Sequence, residues 1–463
     1  MSEPFDAWAL PSGFAPGDTA QEHDGLRRLP LDEAAARALC AALRAARSGL
    51  LAHDAAARAR LIGRAGARFL DPADPLRREA DERVAEHAGL SAPMARAVID
   101  GMARDWTAPR LLALLAAELP DPRALDRFVA GGAPGQRVRA FAPALSVHVG
   151  AGTVPGVTAT SLVRSLLVGS PALVKPGRGD VVLPVLLARA LAEEAPDLAR
   201  AAAVLYWPGG TESPAERVAL AEADLVVVYG NDETVRSVRA RVPVATPVVA
   251  YHHRMSVALV GREALGADAL GEVADALARA VAMFDQRGCV SPHAVLVEEG
   301  GASSPADLAR ALADALARLD RELPPGPVDA AEASAVQQLR GAAELRAAAG
   351  EEVALHAGAG VSWTVVLERA GTVEPSCLGR TVRVHPVADA RAAADLLAPA
   401  RRHLQTVGVA GLGGRAEAVA DALARLGAAR ICALADMAFP PPWWHHDGRG
   451  PLRALLRWVD WEG

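Results

Sequence analysis

The sequence predicts an α/β protein of two doubly wound domains with a small hairpin and tail beside them. Short apolar runs alternate with helical stretches twice, at 172–260 and again at 267–426. That is the pattern of parallel sheets covered by helices on both faces. The chain has 463 residues, room for two to three domains at roughly 100–200 residues each. Hydrophobic residues make up 51% and charged ones 22%, a globular and not a disordered composition.

The elements follow in order. Up to about residue 130 the chain reads as mostly helical, because LDEAAARALCAALRAARSGLL and its continuation place apolar residues every three or four positions among strong helix formers. Residues 127–149 read as strand, Gly/Pro turn, strand. Ala172–Lys175 is a strand and Val181–Glu194 a helix. Ala203–Trp207 is a strand, and Ser213-Pro214 caps and opens the next helix. Leu225–Tyr229 is a buried strand running into Gly230-Asn231-Asp232 and a helix. Val248–Tyr251 and Ser256–Val260 are further strands. The second block starts with a helix over Ala267–Phe284 that ends at Arg287-Gly288-Cys289. Strands follow at His293–Glu298, Trp363–Leu367, Thr381–Val384 and Leu404–Val409, with helices after Ser304-Pro305 and at 387–396 and 415–426.

Composition excludes several classes. Lys+Arg is 49 against Asp+Glu 55, a net charge of −6, which argues against a nucleic-acid partner. Four cysteines, Cys40, Cys289, Cys377 and Cys432, with no CxxC pair, make neither a disulfide framework nor a structural zinc site. The first residues, MSEPFDAWALPSG, lack a basic segment followed by an apolar run, so a cytoplasmic location is expected. Residues 140–163 carry no charge over a length that could span a bilayer. Their prolines and glycines instead predict a buried strand, a turn and a helix start, and no membrane span.

Four places carry candidate chemistry. Cys289 sits in a polar-flanked loop between a helix and an apolar strand. It is either an accessible nucleophile or one more buried thiol. Lys175, the chain's single lysine, ends a strand before Pro176-Gly177-Arg178-Gly179-Asp180. A lysine there reaches a phosphate or ribose hydroxyl, or is a solvated surface residue. Arg178 is placed to pair with a 2′-phosphate, which favours NADP over NAD. Gly230 and Asn231, like Gly209 and Gly210, lie where free backbone N–H groups suit a pyrophosphate. His252 and His253 end a strand and face opposite ways, so one at most serves as a general acid/base. Trp444-His445-His446-Asp447 reads as a packing tail in preference to a metal site.

Several blocks together resemble the LuxC-type acyl-CoA reductase family, a branch of the aldehyde dehydrogenase fold. They are HVGAGTVPG (148–156), SLLVGSPALVKPGRGD (165–180), LVVVYGND (225–232), YHHRMS (251–256), MFDQRGCVSPHAVLVE (283–298), GRTVRVHPV (379–387), HLQTVGVAG (403–411) and PPPWWHHDGRGPLRALLRWVDWE (440–462). The resemblance implies that Cys289 attacks an acyl thioester and that the S-acyl enzyme is reduced by NADPH to an aldehyde. The substrate would be an acyl-CoA or a carrier-bound acyl group, with an acyl-transferring protein as a further partner. Thr153 stands where the family supplies an oxyanion-hole Asn. The segment YHHRMSVALV lacks the carboxylate that oxidising relatives use to activate water, so the acyl enzyme is expected to persist. His253 then becomes the candidate for activating Cys289. Lys175 would meet the adenosine ribose. Gly209, Gly210, Gly230 and Asn231 would line the adenine and pyrophosphate side, and Glu374 would meet the nicotinamide ribose.

The resemblance also divides the chain. Residues 1–126 and 142–255 would bind the cofactor, 256–430 would form the cysteine domain, and 127–141 with 431–463 would form an oligomerisation hairpin and tail of a homo-oligomer. Three rival readings differ in test. An NAD(P)-dependent aldehyde dehydrogenase would release acid rapidly, a catalytically weak scaffold need not bind cofactor, and an acyl-phosphate reductase would prefer acyl phosphate.

Overall fold

The computed structural model describes residues 3–15, 19–210, 213–369 and 371–462. Five helices open it: Glu33–Leu51, Ala55–Ala67, Pro75–Ala88, Ala92–Arg104 and Ala108–Glu118. Asp32, Asp54, Asp74 and Ser91 each cap one of them by accepting a backbone N–H. Their apolar faces bury Ile62, Val98, Ile99 and Trp106 in one cluster. Ahead of the helices lie short strands at Phe5–Asp6, Trp8–Ala9, Gln21–His23 and Leu26–Arg28. Two or three residues are too few for an alternating pattern to show in the sequence.

The first large sheet has the order Val248–Tyr251, Leu225–Tyr229, Ser146–Val149, Ala172–Lys175, Ala202–Leu205, Trp8–Ala9. All but the last strand run parallel. From Ser146–Val149 the chain first winds one way through the sheet and then returns to wind the other. The switch point lies between Ser146–Val149 and Leu225–Tyr229, where open α/β sheets bind ligands at the strands' carboxyl ends. The second sheet has the order Val353–Ala357, Thr364–Glu368, Thr381–Val387, Pro292–Glu298, Met255–Val260, Leu404–Ala410, Arg430–Ala433, parallel except for its first strand. That first strand and the helix Ala330–Ala348 before it lie in a stretch whose pattern assigned no element. The tail strand Arg457–Glu462 pairs antiparallel with Gln136–Phe141 of the expected hairpin.

Residues 146–168 form the buried strand, turn and helix expected of the uncharged stretch. No helix among the described residues is long and apolar enough to cross a membrane. Within that stretch His148 is fully buried and bonded to Ser161, Ser165 and Ser146 at 2.7, 2.7 and 3.1 Å. The Gly-rich turns have a packing purpose: a Cβ at Gly177 would lie 2.3 Å from the Gly152 nitrogen. The loops after neighbouring strands therefore touch backbone to backbone. Buried Asp180 ties them to the next helix, accepting from Gly156 N (2.5 Å), Thr158 N (2.8 Å) and Thr158 Oγ1 (2.6 Å).

The helix expected to reach Phe284 stops at Ala282. Phe284, Asp285 and Gln286 all have left-handed backbones, with φ of 58°, 49° and 66°. Such a run costs free energy for non-glycine residues and persists only where its surroundings fix it.

Candidate active site

The surroundings of that run are specific. Asp285 accepts from Arg380 Nε and Nη2 at 3.0 and 2.7 Å. The Gln286 amide donates to the carbonyls of Pro292 and Thr381 at 2.9 and 2.7 Å, and its Oε1 accepts from Thr381 N at 2.8 Å. The chain is thereby turned so that Gly288 and Cys289 emerge just before the strand Pro292–Glu298. The Cys289 carbonyl accepts from Ser256 Oγ at 2.6 Å, and Ser256 Oγ in turn accepts from Thr406 N at 3.1 Å. Cys289 is therefore pinned to the second sheet, a half-buried residue.

The thiol faces the tail. Cys289 Sγ lies 3.9 Å from His446 Nε2. The imidazole is held between two rings, stacked on Trp444 at 4.6 Å and on Tyr251 at 4.4 Å. Tyr251 stacks on Tyr229 at 4.7 Å, because these two residues are register partners at the ends of adjacent parallel strands. Asp447 follows with a left-handed backbone, φ 52°. Its Oδ1 accepts from Gln405 Nε2 at 2.8 Å and lies 3.1 Å from Arg254 Nε and 3.7 Å from His446 Nε2. Asp447 Oδ2 and Gln405 Oε1 are buried without a hydrogen-bond partner.

These neighbours set the protonation states. Burial, then the charge of Asp447, pushes the Cys289 thiol up to about 12, against the opposing pull of Gln405 and Arg254. Burial, then Arg164 and Arg254, pushes His446 down to about 3. The resting pair is a neutral thiol beside a neutral imidazole. The other cysteines lack this setting: burial and Glu222 push Cys40 up to about 11, and burial raises Cys377 and Cys432.

Cys289 and His446 share the wall of a cavity of about 120 Å³ with Met102, Val157, Phe284 and Phe439. Arg164, buried against the Pro442 carbonyl at 3.5 Å, and Asp105 also border it. The tail that closes the cavity is anchored by Glu118, whose carboxylate accepts from Leu452 N and Arg453 N at 3.0 and 3.2 Å.

The residues singled out in the sequence divide into those near this cavity and those away from it. The expectation for His253 needs correction. It is exposed, its carbonyl accepts from His403 Nδ1 at 3.3 Å, and it borders a different hollow with Val373 and Pro375. His446 holds the place beside Cys289 that His253 was expected to fill. Thr153 is exposed, and it is the next residue, Val154, that borders the cavity. The expected absence of a carboxylate also needs qualification, because the tail brings Asp447 where the segment 251–260 brings Tyr251. A link between the tail and the loop 157 residues earlier has no local signature; only the block WWHHDGR marked it.

Lys175 is buried at the carboxyl end of its strand, with Nζ 5.8 Å from the centroid of the Tyr206 ring. Burial lowers its pKa, while Glu216 supports its charge. Arg178 is exposed and paired to Asp24 at 2.8 Å. Gly209, Gly210 and Asn231 are exposed on the same edge of the sheet. The Asn231 side chain is engaged as a helix cap, accepting from Thr234 N at 2.8 Å, and Gly230 precedes it. Glu374 is exposed and paired to Arg383 at 3.0 Å. Among the described residues no cluster of three or more metal-ligating side chains occurs.

Comparison with known proteins bears on this geometry. The family model described as acyl-CoA reductase (LuxC) matches residues 59–458. The long-chain acyl-protein thioester reductase of Aliivibrio fischeri is 25% identical over 332 residues, and that of Photorhabdus laumondii is 23% identical over 327. Both matches cover 70% of this chain and 65% of the relative. Among solved structures, an NAD-dependent benzaldehyde dehydrogenase from Corynebacterium glutamicum superposes with a TM-score of 0.72 at 15% identity, covering 98% of this chain and 97% of that one. A 1-pyrroline-5-carboxylate dehydrogenase from Thermus with bound NAD gives 0.71 at 15%, covering 99% and 93%. At such identities the likeness shows the fold alone, which is that of the aldehyde dehydrogenases.

Proposed function

Since the chain belongs to the LuxC acyl-CoA reductase family, we propose that it reduces an acyl thioester, acyl-CoA or carrier-bound, to an aldehyde through an S-acyl group on Cys289. The observation that carries this reading is the thiol of Cys289 placed beside an imidazole on the wall of an apolar cavity. The curated relatives are named long-chain acyl-protein thioester reductases, and an apolar cavity suits an alkyl acyl group.

The Cys289 sulfur attacks the thioester carbonyl carbon, the carrier sulfur leaves, and a new thioester to Cys289 remains. The developing oxyanion takes the backbone N–H of Cys289 as one donor. Thr153 is the other candidate, on the loop whose next residue, Val154, borders the cavity. His446 lies beside the thiol with Tyr251 stacked behind it, rings that limit the access of water to the S-acyl group.

A nicotinamide cofactor fits the carboxyl edge of the first sheet. The edge offers a buried lysine ammonium and the N-terminus of the helix Asp232–Arg241, and Arg28, whose Nε is buried without a partner, acts electrostatically on Tyr206 beside that lysine. Lys175 would hold the adenosine ribose, Gly209, Gly210, Gly230 and Asn231 the pyrophosphate side, and Glu374 the nicotinamide ribose. Arg178 would exchange Asp24 for a 2′-phosphate, which selects NADPH. When bound, the cofactor supplies the hydride that converts the S-acyl group to the aldehyde level.

The sheet formed by the tail and hairpin leaves Trp458 and Trp461 exposed at 37% and 50% on its outer strand. We infer that this edge joins copies of the chain, in keeping with the expected homo-oligomer. An acyl-transferring protein partner and a cytoplasmic location complete the proposal. Cys289→Ser tests the reading: the proposal requires aldehyde formation to fall to background, and retained activity would contradict it.

Asp447 favours one second reading. A carboxylate with a free oxygen near the thiol could activate water, giving an aldehyde-oxidising enzyme. Gln405 and Arg254 hold that carboxylate, which argues for a structural charge. Rapid acid release from the isolated acyl enzyme, lost in Asp447→Asn, would establish the oxidising reading.

A further inference from the structure

We propose that His446, delivered by the C-terminal tail, takes the proton from Cys289 as the sulfur attacks and gives it to the departing carrier thiol. The inference deepens the thioester reading and rests on it. Three observations carry it: the 3.9 Å approach of Sγ to Nε2, the clamp of Trp444 and Tyr251 on the two ring faces, and the tail's anchorage on Glu118. Catalytic hydrogen bonds are often long in unliganded enzymes and tighten in the substrate complex, and geometry takes precedence in choosing a base.

The proton balance closes within the site. Sγ–H gives its proton to Nε2, and the S–C bond to the acyl group forms. The carrier C–S bond breaks, and Nε2–H protonates the leaving sulfur. His446 ends neutral, as it began. When the aldehyde later departs, Cys289 leaves as a thiolate and regains a proton from solvent through the same nitrogen.

The groups facing His446 explain why a neutral base is needed and kept. Arg164 approaches from the helix Val157–Val168 and Arg254 from the link between the sheets, both opposing the imidazolium. Asp447 faces Nε2 from the tail itself and opposes the thiolate. Tyr251 and Tyr229 stack from the first sheet, and burial, then Tyr229, pushes the Tyr251 hydroxyl further above its ordinary value, so it stays neutral. His445, the neighbouring histidine, points to Glu118 at 3.9 Å. A free thiolate is disfavoured here, so attack requires transfer to a base already in contact.

The test uses the full chain without cofactor. Alkylation of Cys289 by iodoacetamide is followed by peptide mass spectrometry between about pH 6 and 9. The burst of free CoA from octanoyl-CoA is followed separately. Wild type should alkylate at a nearly pH-independent rate, because the neutral pair dominates throughout. In His446→Gln the rate should rise about tenfold per pH unit with thiolate concentration, and the CoA burst should slow by about 10²–10⁴-fold. Added imidazole should restore part of the burst in His446→Ala. A wild-type rate that itself rises tenfold per unit, or a His446→Gln profile like wild type, overturns the proposal. So does loss of the burst in His253→Gln with none in His446→Gln. A flat wild-type profile without any CoA release supports the base and rejects the thioester substrate.

Discussion

Asp285 and Arg380 form an ion pair with both side chains almost wholly buried, 6% and 2% exposed, directly before the loop that presents Cys289. This pair fixes the middle of three consecutive left-handed residues. Removing one partner strands the other charge in the core, which costs about 3–5 kcal/mol. Arg380→Met should therefore lower the unfolding free energy read from urea titration by that margin, and acylation of Cys289 should slow in the protein that remains folded. An unchanged midpoint would show that the turn holds itself.

Gly101 borders the cavity beside Phe439. A Cβ there would lie 2.1 Å from the Phe439 ring. Gly101→Val should drive Phe439 into the space where an acyl chain would lie. The octanoyl-CoA kcat/KM should fall by at least about tenfold, with a smaller loss for acetyl-CoA. Equal losses for both would place the acyl chain elsewhere.

The cofactor edge is tested independently of the thiol. Lys175→Met should weaken cofactor binding by roughly 10–100-fold, the worth of a charged hydrogen bond, and leave the octanoyl-CoA burst intact. Arg178→Ala should weaken NADPH and spare NADH. Calorimetry on the full chain reads both, and equal weakening would remove Arg178 from the 2′-phosphate.

His148 makes stability depend on pH. Burial pushes it down to about 3, against about 6.5 unfolded. As pH falls below 6.5, the unfolded chain takes up a proton that the folded chain refuses, so stability is lost progressively until about pH 3. Between pH 7 and 5 this one group should cost about 2 kcal/mol. His148→Asn should be less stable at pH 7 but should lose that much less on acidification, as read by urea unfolding at both values.

Much of the fold was legible because the strands of both large sheets are short apolar runs punctuated by caps such as Ser213-Pro214 and Ser304-Pro305. The turn at Phe284 was not, since a bulky residue seldom adopts a left-handed backbone and the ion pair that compels it comes from 95 residues away. Of the candidate site, the loop position of Cys289 could be read. His446 could not, because tertiary pairing leaves no spacing rule. His253 attracted attention through its strand-end position, yet it faces outward beside His403. The Gly-rich segments were legible as turns, but the interlock of Gly152 with Gly177 shows backbone packing where a motif alone suggests ligand contact.

The proposed chemistry depends on Cys289 carrying the acyl group. Incubation of the full chain with octanoyl-CoA alone, followed by peptide mass spectrometry, should show one octanoyl adduct on Cys289 that disappears when NADPH is added. An adduct on Cys40, Cys377 or Cys432 instead, or full NADPH-dependent aldehyde formation by Cys289→Ser, would contradict it.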